Sequence, residues 1–194
     1  NVKFLKYIDS RHSLDNITVM MHTNGTKPIP EHMLELLDKC KFVRISVSID
    51  CIGDRFNYLR APANWTQVED NILGNLQYQL GKRAQPEDGG DFTLHCDQVI
   101  SVLSLYYMDE AKDWCNSYGF NYGDHTAGGE YSLSCLTNKY INALNNDQKI
   151  YLPNKYIPQE IPGMIQYLDW YDNVQSLNWK KTFPEIEEFY LDYI

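Results

Sequence analysis

The segment Phe42-Val-Arg-Ile-Ser-Val-Ser-Ile-Asp50 alternates without a break, with Val43, Ile45, Val47 and Ile49 on one side and Arg44, Ser46, Ser48 and Asp50 on the other. Period-two alternation of β-branched and polar residues marks a strand with one apolar and one polar face. Ile17-Thr-Val-Met-Met-His-Thr23 repeats the pattern more weakly, opposing Ile17, Val19 and Met21 to Thr18, Met20, His22 and Asn24, and closes in an Asn24-Gly25 turn. A third strand is expected from Phe92 to about Val102, with Thr93, His95 and Asp97 on one face. Helical patterns separate these strands. Pro30 opens a helix through Cys40 that carries Met33, Leu36 and Leu37. Asn64 or Thr66 caps a second, Trp65 to about Leu80, and a third runs from Leu105 to Tyr118 and stops at Gly119. Strand and helix in alternation predict an α/β fold with a mainly parallel sheet.

The polar stripe constrains that sheet further. A parallel sheet with helices on both faces has apolar residues on both. Arg44, Ser46, Ser48 and Asp50 fit instead a barrel-like sheet whose inner face lines a cavity, or a sheet covered on one side with its polar face in solvent. Periodicity alone leaves both open. In α/β barrels the chemistry gathers at the C-terminal strand ends, where His22, Asn24, Ser48 and Asp50 all fall.

Outward from these strands, Val2–Ile8 reads as a short helix and Arg83–Gly90 as a loop. Residues 119–136 are rich in Gly and Tyr, with room for one short strand. Pro153, Pro158 and Pro162 then punctuate the chain before a helix over about Gly163–Val174 and a last one near Phe183-Pro184-Glu185. The division expected is an α/β portion over 1–150 and a helical extension over 151–194.

Composition narrows the function classes. The 194 residues carry 17 Lys and Arg against 26 Asp and Glu, a formal charge of −9, with 43% hydrophobic residues. These values exclude a disordered chain and a disulfide-dense miniprotein. No basic run exceeds the pair Lys82–Arg83, which argues against nucleic acid as a partner. No apolar run approaches the ~20 residues of a membrane span, so no membrane is expected. The five cysteines, Cys40, Cys51, Cys96, Cys115 and Cys135, form no Cys-x-x-Cys pair. They read as reduced, mostly buried thiols of a cytoplasmic protein.

Ile45-Ser-Val-Ser-Ile-Asp50, followed by Ile52-Gly53-Asp54, Tyr58-Leu-Arg60 and Trp65, resembles the fourth-strand region of radical S-adenosylmethionine (SAM) enzymes. His22-Thr-Asn-Gly-Thr26 is similar to the end of that family's third strand, and Trp179-x-x-Thr-Phe-Pro-Glu185 to the tail of its twitch-type members. The resemblance implies a partial (βα)6 TIM-like barrel. It also implies reductive cleavage of SAM by a [4Fe–4S] cluster, and a 5′-deoxyadenosyl radical acting on a small-molecule or peptide substrate. Carried over position by position, Ser48 and Arg60 match residues that hold the SAM carboxylate or ribose. Asp50 and Asn24 match strand-end positions facing the same cavity. A hydroxyl and a forked guanidinium suit a carboxylate.

The departures are equally specific. The family's Cys-x3-Cys-x2-Cys, whose three thiolates hold a cluster and leave one iron open, does not occur. Gly128-Gly129-Glu130 has the letters of the family's Gly-Gly-Glu segment, but lies far downstream of its usual place. The expectation is therefore the C-terminal two thirds of a longer enzyme, lacking its first βα units, with the cluster ligands upstream of residue 1. The alternative is a binding or scaffold module that kept the sheet and lost the cluster. Cys51 reads as a small filler beside the site, His95 and Asp97 as a buried or hydrogen-bonded pair, and the acids Glu185, Glu187, Glu188 and Asp192 as a solvated helix face.

Overall fold

A computed structural model describes residues 2–77 and 91–194. The loop expected over 83–90, the Lys82–Arg83 pair and the far end of the helix drawn to Leu80 lie outside the described residues. Four strands, β1 (Thr18–Thr23), β2 (Phe42–Ser48), β3 (Asp91–Ile100) and β4 (Asn121–Thr126), form one sheet in the order β1-β2-β3-β4. All three pairings are parallel. The Gly- and Tyr-rich segment thus supplies the fourth strand.

Strands that follow one another in chain order, joined by right-handed crossovers, place every connecting helix on the same face. The core agrees. Val43, Ile45 and Val47 of β2, with Leu94 and Cys96 of β3, pack in one cluster with Met33, Leu36 and Leu37 of α2 (Glu31–Asp38), preceded in the chain by α1 (Val2–Asp9). Phe56 of α3 (Gly53–Leu59) and Trp65 and Val68 of α4 (Trp65–Asn71) join the same cluster. So does Cys115 of α5 (Met108–Ser117). The polar residues of β2 face the other way.

Local chemistry sets the helix boundaries. Asn64 caps α4 by accepting from the Gln67 N–H at 3.2 Å, and beyond Asn71 the helix widens into a π-turn over Ile72–Gln77. The helix expected from Leu105 begins as a 3₁₀ turn and becomes α at Met108; Gly119, at φ +72°, ends it. Helix α3 escaped the sequence reading because seven residues carry too few apolar repeats to show a period.

Past the strands a second core takes over. Short helices α6 (Asn138–Ala143) and α7 (Asn146–Lys149) lead to α8 (Ile161–Gln175), α9 (Trp179–Thr182) and α10 (Pro184–Phe189). Residues of 151–194 share this core with residues from the strand ends and α3. Tyr58 of α3 sits edge-on to Tyr171 and Phe183, at centroid distances of 5.6 and 5.3 Å. Trp179 is fully buried and donates its indole N–H to Asp169 at 2.9 Å. All five cysteines are buried. Among the described residues no helix is long and apolar enough to cross a membrane.

The Asn24-Gly25 turn is the tightest point under the sheet. Gly25 has φ +69°, and a Cβ there would stand 2.9 Å from Val68 Cγ1 and 3.4 Å from Val47 Cγ1. Gly25→Ala is expected to cost about 2–3 kcal/mol, from left-handed backbone plus overpacking. Urea unfolding measures it, and pairing the change with Val68→Ala should recover the packing share but not the backbone share.

Candidate functional site

Asp50 follows the last residues of β2, and its carboxylate is gripped from two sides. Arg60, the C-terminal cap of α3, donates Nε to Oδ2 at 2.7 Å and Nη2 to Oδ1 at 2.8 Å. The Val99 N–H of β3 donates to Oδ1 at 3.1 Å, and Gln98 Nε2 donates to the Asp50 carbonyl at 2.5 Å. The fork matches the planar guanidinium to the planar carboxylate. Cys51 beside it is buried, its thiol pushed up by burial and by the Asp50 charge, and it is a filler, not a nucleophile.

Ser48, two residues earlier on the same face, is half-buried, and its hydroxyl has no hydrogen-bond partner among the described residues. Arg60 keeps Nη1 unengaged, because Nε and Nη2 serve Asp50. Asn24 is exposed, and its Oδ1 accepts from the Thr26 N–H at 3.2 Å and the Thr26 hydroxyl at 2.8 Å. That bond pattern closes the turn after β1. Its amide nitrogen takes no part in the turn. Asp50 and Arg60 are thus brought together just past the end of β2, Ser48 is the last residue of that strand, and Asn24 follows the end of the neighbouring strand with its oxygen committed locally.

The rest of the polar face forms two cross-strand contacts. Arg44 Nη2 lies 3.2 Å from His95 Nδ1. His22 Nδ1 of β1 lies 3.6 Å from Asp97 Oδ2 of β3, a contact that spans β2. In the register His22 lies beside Ser46 and Asp97 beside Ser48, so the β2 residues between them are two serines. Ser46 is 1% exposed, so the stripe expected to be wet throughout is partly closed over. His95 and Asp97 do not pair with each other, contrary to the sequence reading. Two residues apart on one strand, each finds its partner on another.

A second cluster went unread in the sequence. Arg55 of α3 donates Nη1 to both oxygens of Glu110, at 3.0 and 2.8 Å, and stacks 3.7 Å from the Tyr107 ring centroid. The Tyr107 hydroxyl donates to Glu185 of α10, whose carboxyl is held below its usual range chiefly by that bond. Glu185 is therefore half-buried and bonded, not part of a solvated face. Tyr106-Tyr107 was legible as aromatic core, but no local signal pointed to a partner 78 residues away. Farther out, a cleft of about 670 Å³ lies between residues 129–135 and 157–167.

The described residues do not fit an iron–sulfur cluster. Among them no group of three or more His, Cys, Asp or Glu is placed to hold a metal; burial pushes the Cys51 and Cys135 thiols up, and a hydrogen bond with Cys115, then burial, pushes up that of Cys96, away from the thiolate that ligation needs. Gly128 and Gly129 stand in the turn that follows β4, the fourth strand described, with Gly129 opening a 3₁₀ turn.

No family model matches this chain, and no curated protein matches it by sequence. Among solved structures it is similar to Streptococcus suis SuiB bound to S-adenosylmethionine, with TM-score 0.46, 15% identity, and coverage of 91% of this chain and 34% of that one. It is also similar to Streptococcus suis SuiB bound to precursor peptide SuiA, with TM-score 0.45, 15% identity, and coverage of 95% and 37%. The chain thus spans about a third of the length of SuiB.

The Arg44–His95 contact has a titration consequence. Burial, and then the Arg44 charge, lower the His95 pKa below its ordinary 6.5. A histidine kept neutral by folding binds fewer protons than in the unfolded chain. Its contribution is therefore intact above the unfolded pKa and lost as pH falls through 6.5 toward the folded value. NMR titration is expected to place the His95 midpoint below 6.5. Arg44→Gln should move it part of the way back, leaving the burial contribution.

Proposed function

We propose that this chain is the SAM-binding portion of a radical SAM-type enzyme. In this reading residues 1–150 form part of a (βα)6 TIM-like barrel, and 151–194 close it as a helical extension. The observation that carries the reading is the strand-end grouping of Ser48, Asp50 and Arg60. Past the end of β2 the Arg60 guanidinium is held by Asp50 through Nε and Nη2, and Ser48 ends the polar stripe of the strand, whose apolar side packs on α2, α3 and α4. Single-sided helix cover and strands in chain order are the pattern a barrel wall requires. Ser48 Oγ and Arg60 Nη1 bind the carboxylate or ribose of SAM. Asp50 holds the guanidinium in place and balances its charge, and Asn24 offers its amide nitrogen from the next strand end.

In enzymes of this superfamily the cofactor pair supplies the radical chemistry, and the protein positions it and keeps competing reactions out. The described residues do not fit a cluster, so none of them is assigned as a cluster ligand. The substrate is a small molecule or a peptide, held on the same polar face near His22 and Asp97. The whole protein works in the cytoplasm, where thiolate ligands stay reduced.

One observation favours a second reading. The Asp50–Arg60 pair is complete without a ligand, as expected of a scaffold module that retained the sheet and no longer binds SAM.

The test uses the native polypeptide from its complete reading frame, reconstituted anaerobically with iron and sulfide. A brown species absorbing near ~400 nm that releases 5′-deoxyadenosine from SAM on reduction is the expected result. Ser48→Ala and Arg60→Lys should each weaken SAM retention about tenfold, the worth of one bond to a charged group. A colourless protein that retains no SAM overturns the proposal in favour of the scaffold.

A further inference from the structure

The cleft beyond the strand ends has a charge pattern of its own. Its volume is about 670 Å³, within the range of small-molecule sites. On one wall Glu160 Oε2 accepts from Ser134 Oγ at 3.2 Å and lies 3.9 Å from Cys135 Sγ. Ser134 Oγ also lies within donating distance of Ser132 Oγ, at 3.0 Å, so its one proton is directed either to Ser132 or to Glu160. Oε1 is left free, and Glu160 makes no ion pair with any described residue.

The remaining walls are Ile157, Met164 and Tyr167. Met164 is buried, and the Tyr167 ring is fixed by Tyr131, at 5.6 Å edge-on, and by Tyr171, stacked at 6.4 Å. Glu160 immediately precedes α8, so its charge offsets the positive end of that helix and leaves no cationic feature to attract an anion. A metal ion is poorly served by one carboxylate with a buried thiol beside it.

Glu160 is exposed and hydrogen-bonded by Ser134, and it lines the same cleft as the aromatic and aliphatic residues, a combination with a definite complement. The ligand is a cation on a short apolar stem, whose head bonds the carboxylate while its stem and charge lie against Tyr167 and Met164. We infer that this cleft binds an alkylguanidinium or alkylammonium group, seated between Glu160 and Tyr167. The chemistry is shared by a free organic amine and by an Arg or Lys side chain of a peptide. This site is separate from the strand-end grouping, and the inference stands whether or not SAM binds there.

The experiment is an NMR titration of the full chain with n-butylguanidinium, n-butanol and an arginine blocked at both termini. The cation is expected to shift the Ser134, Glu160 and Tyr167 signals, and n-butanol to bind at least about fivefold more weakly, the scale of a partly exposed cation–π and ion contact. Glu160→Gln should weaken the cation by a similar factor and leave n-butanol unchanged; a urea midpoint equal to that of the unmodified chain shows that the variant folds. Blocked arginine binding as well as n-butylguanidinium supports the inference with a peptide side chain as the source; binding of the free cation alone supports it with a free amine. Equal binding of cation and alcohol, no effect of Glu160→Gln, or no saturable binding at all overturns it.

Discussion

The carboxylate of Asp50 makes three chain segments agree on one geometry. A half-buried anion costs several kcal/mol unless it is paired and its lone pairs are filled. Arg60 supplies the charge and two bonds, and Val99 supplies a third from the adjacent strand. Arg60 reaches Asp50 only if α3 ends over the end of β2. Val99 reaches it only if β3 keeps its register. One side chain therefore fixes where β2 stops, where α3 stops and how β3 lies beside them. Gln98, bonded to the carbonyl of the same residue, adds a second tie between the same strands.

Helix α3 carries that constraint into the rest of the molecule. Within seven residues and its cap it sends Arg60 to the strand end, Tyr58 into the aromatic core between Tyr171 and Phe183, and Arg55 to Glu110 and Tyr107. The C-terminal helices thus bear on the candidate site through α3 without touching the ion pair. Phe183 packs on Tyr58, and Glu185, two residues on, accepts from Tyr107, whose ring lies against Arg55. The tail motif Trp179-x-x-Thr-Phe-Pro-Glu185 is then a packing device with three anchors: Trp179 in the core, Phe183 on Tyr58 and Glu185 on Tyr107.

Legibility followed the range of the forces involved. Strand β2 was readable to within a residue because its alternation is local, and the cap at Asn64 because it lies three residues from its partner. Partners set by register were not readable. His95 was paired with Asp97 because they share a strand face, yet the long Arg44 side chain reaches His95 diagonally, past the register in which His95 lies beside Ser46, and Asp97 meets His22 two strands away. Helix α3 and the short helices before α8 were too brief to show a period. Of the candidate residues, the alternation of β2 put Ser48 and Asp50 at its C-terminal end, whereas Arg60 entered through the resemblance alone, since the short helix that carries it shows no period. That the guanidinium would be half spent on Asp50 was not legible, since nothing in the spacing separates a residue that holds a ligand from one that holds its neighbour.

The serines of β2 show how close those two roles lie. A ligand-binding reading values Ser46 and Ser48 for their hydroxyls, but the His22–Asp97 contact values them for their size. Side chains on β1 and β3 start about 9.5 Å apart, twice the usual strand spacing, and meet over β2 only where its residues are short. Ser46 is covered in the process and is lost to any ligand, while Ser48 at the strand end keeps its hydroxyl free. The same small residue thus does two jobs one pleat apart, closing the face at depth and leaving it open at the rim. Size thus matters more than the hydroxyl at Ser46, and only at Ser48 does the same side chain stay partly open to solvent.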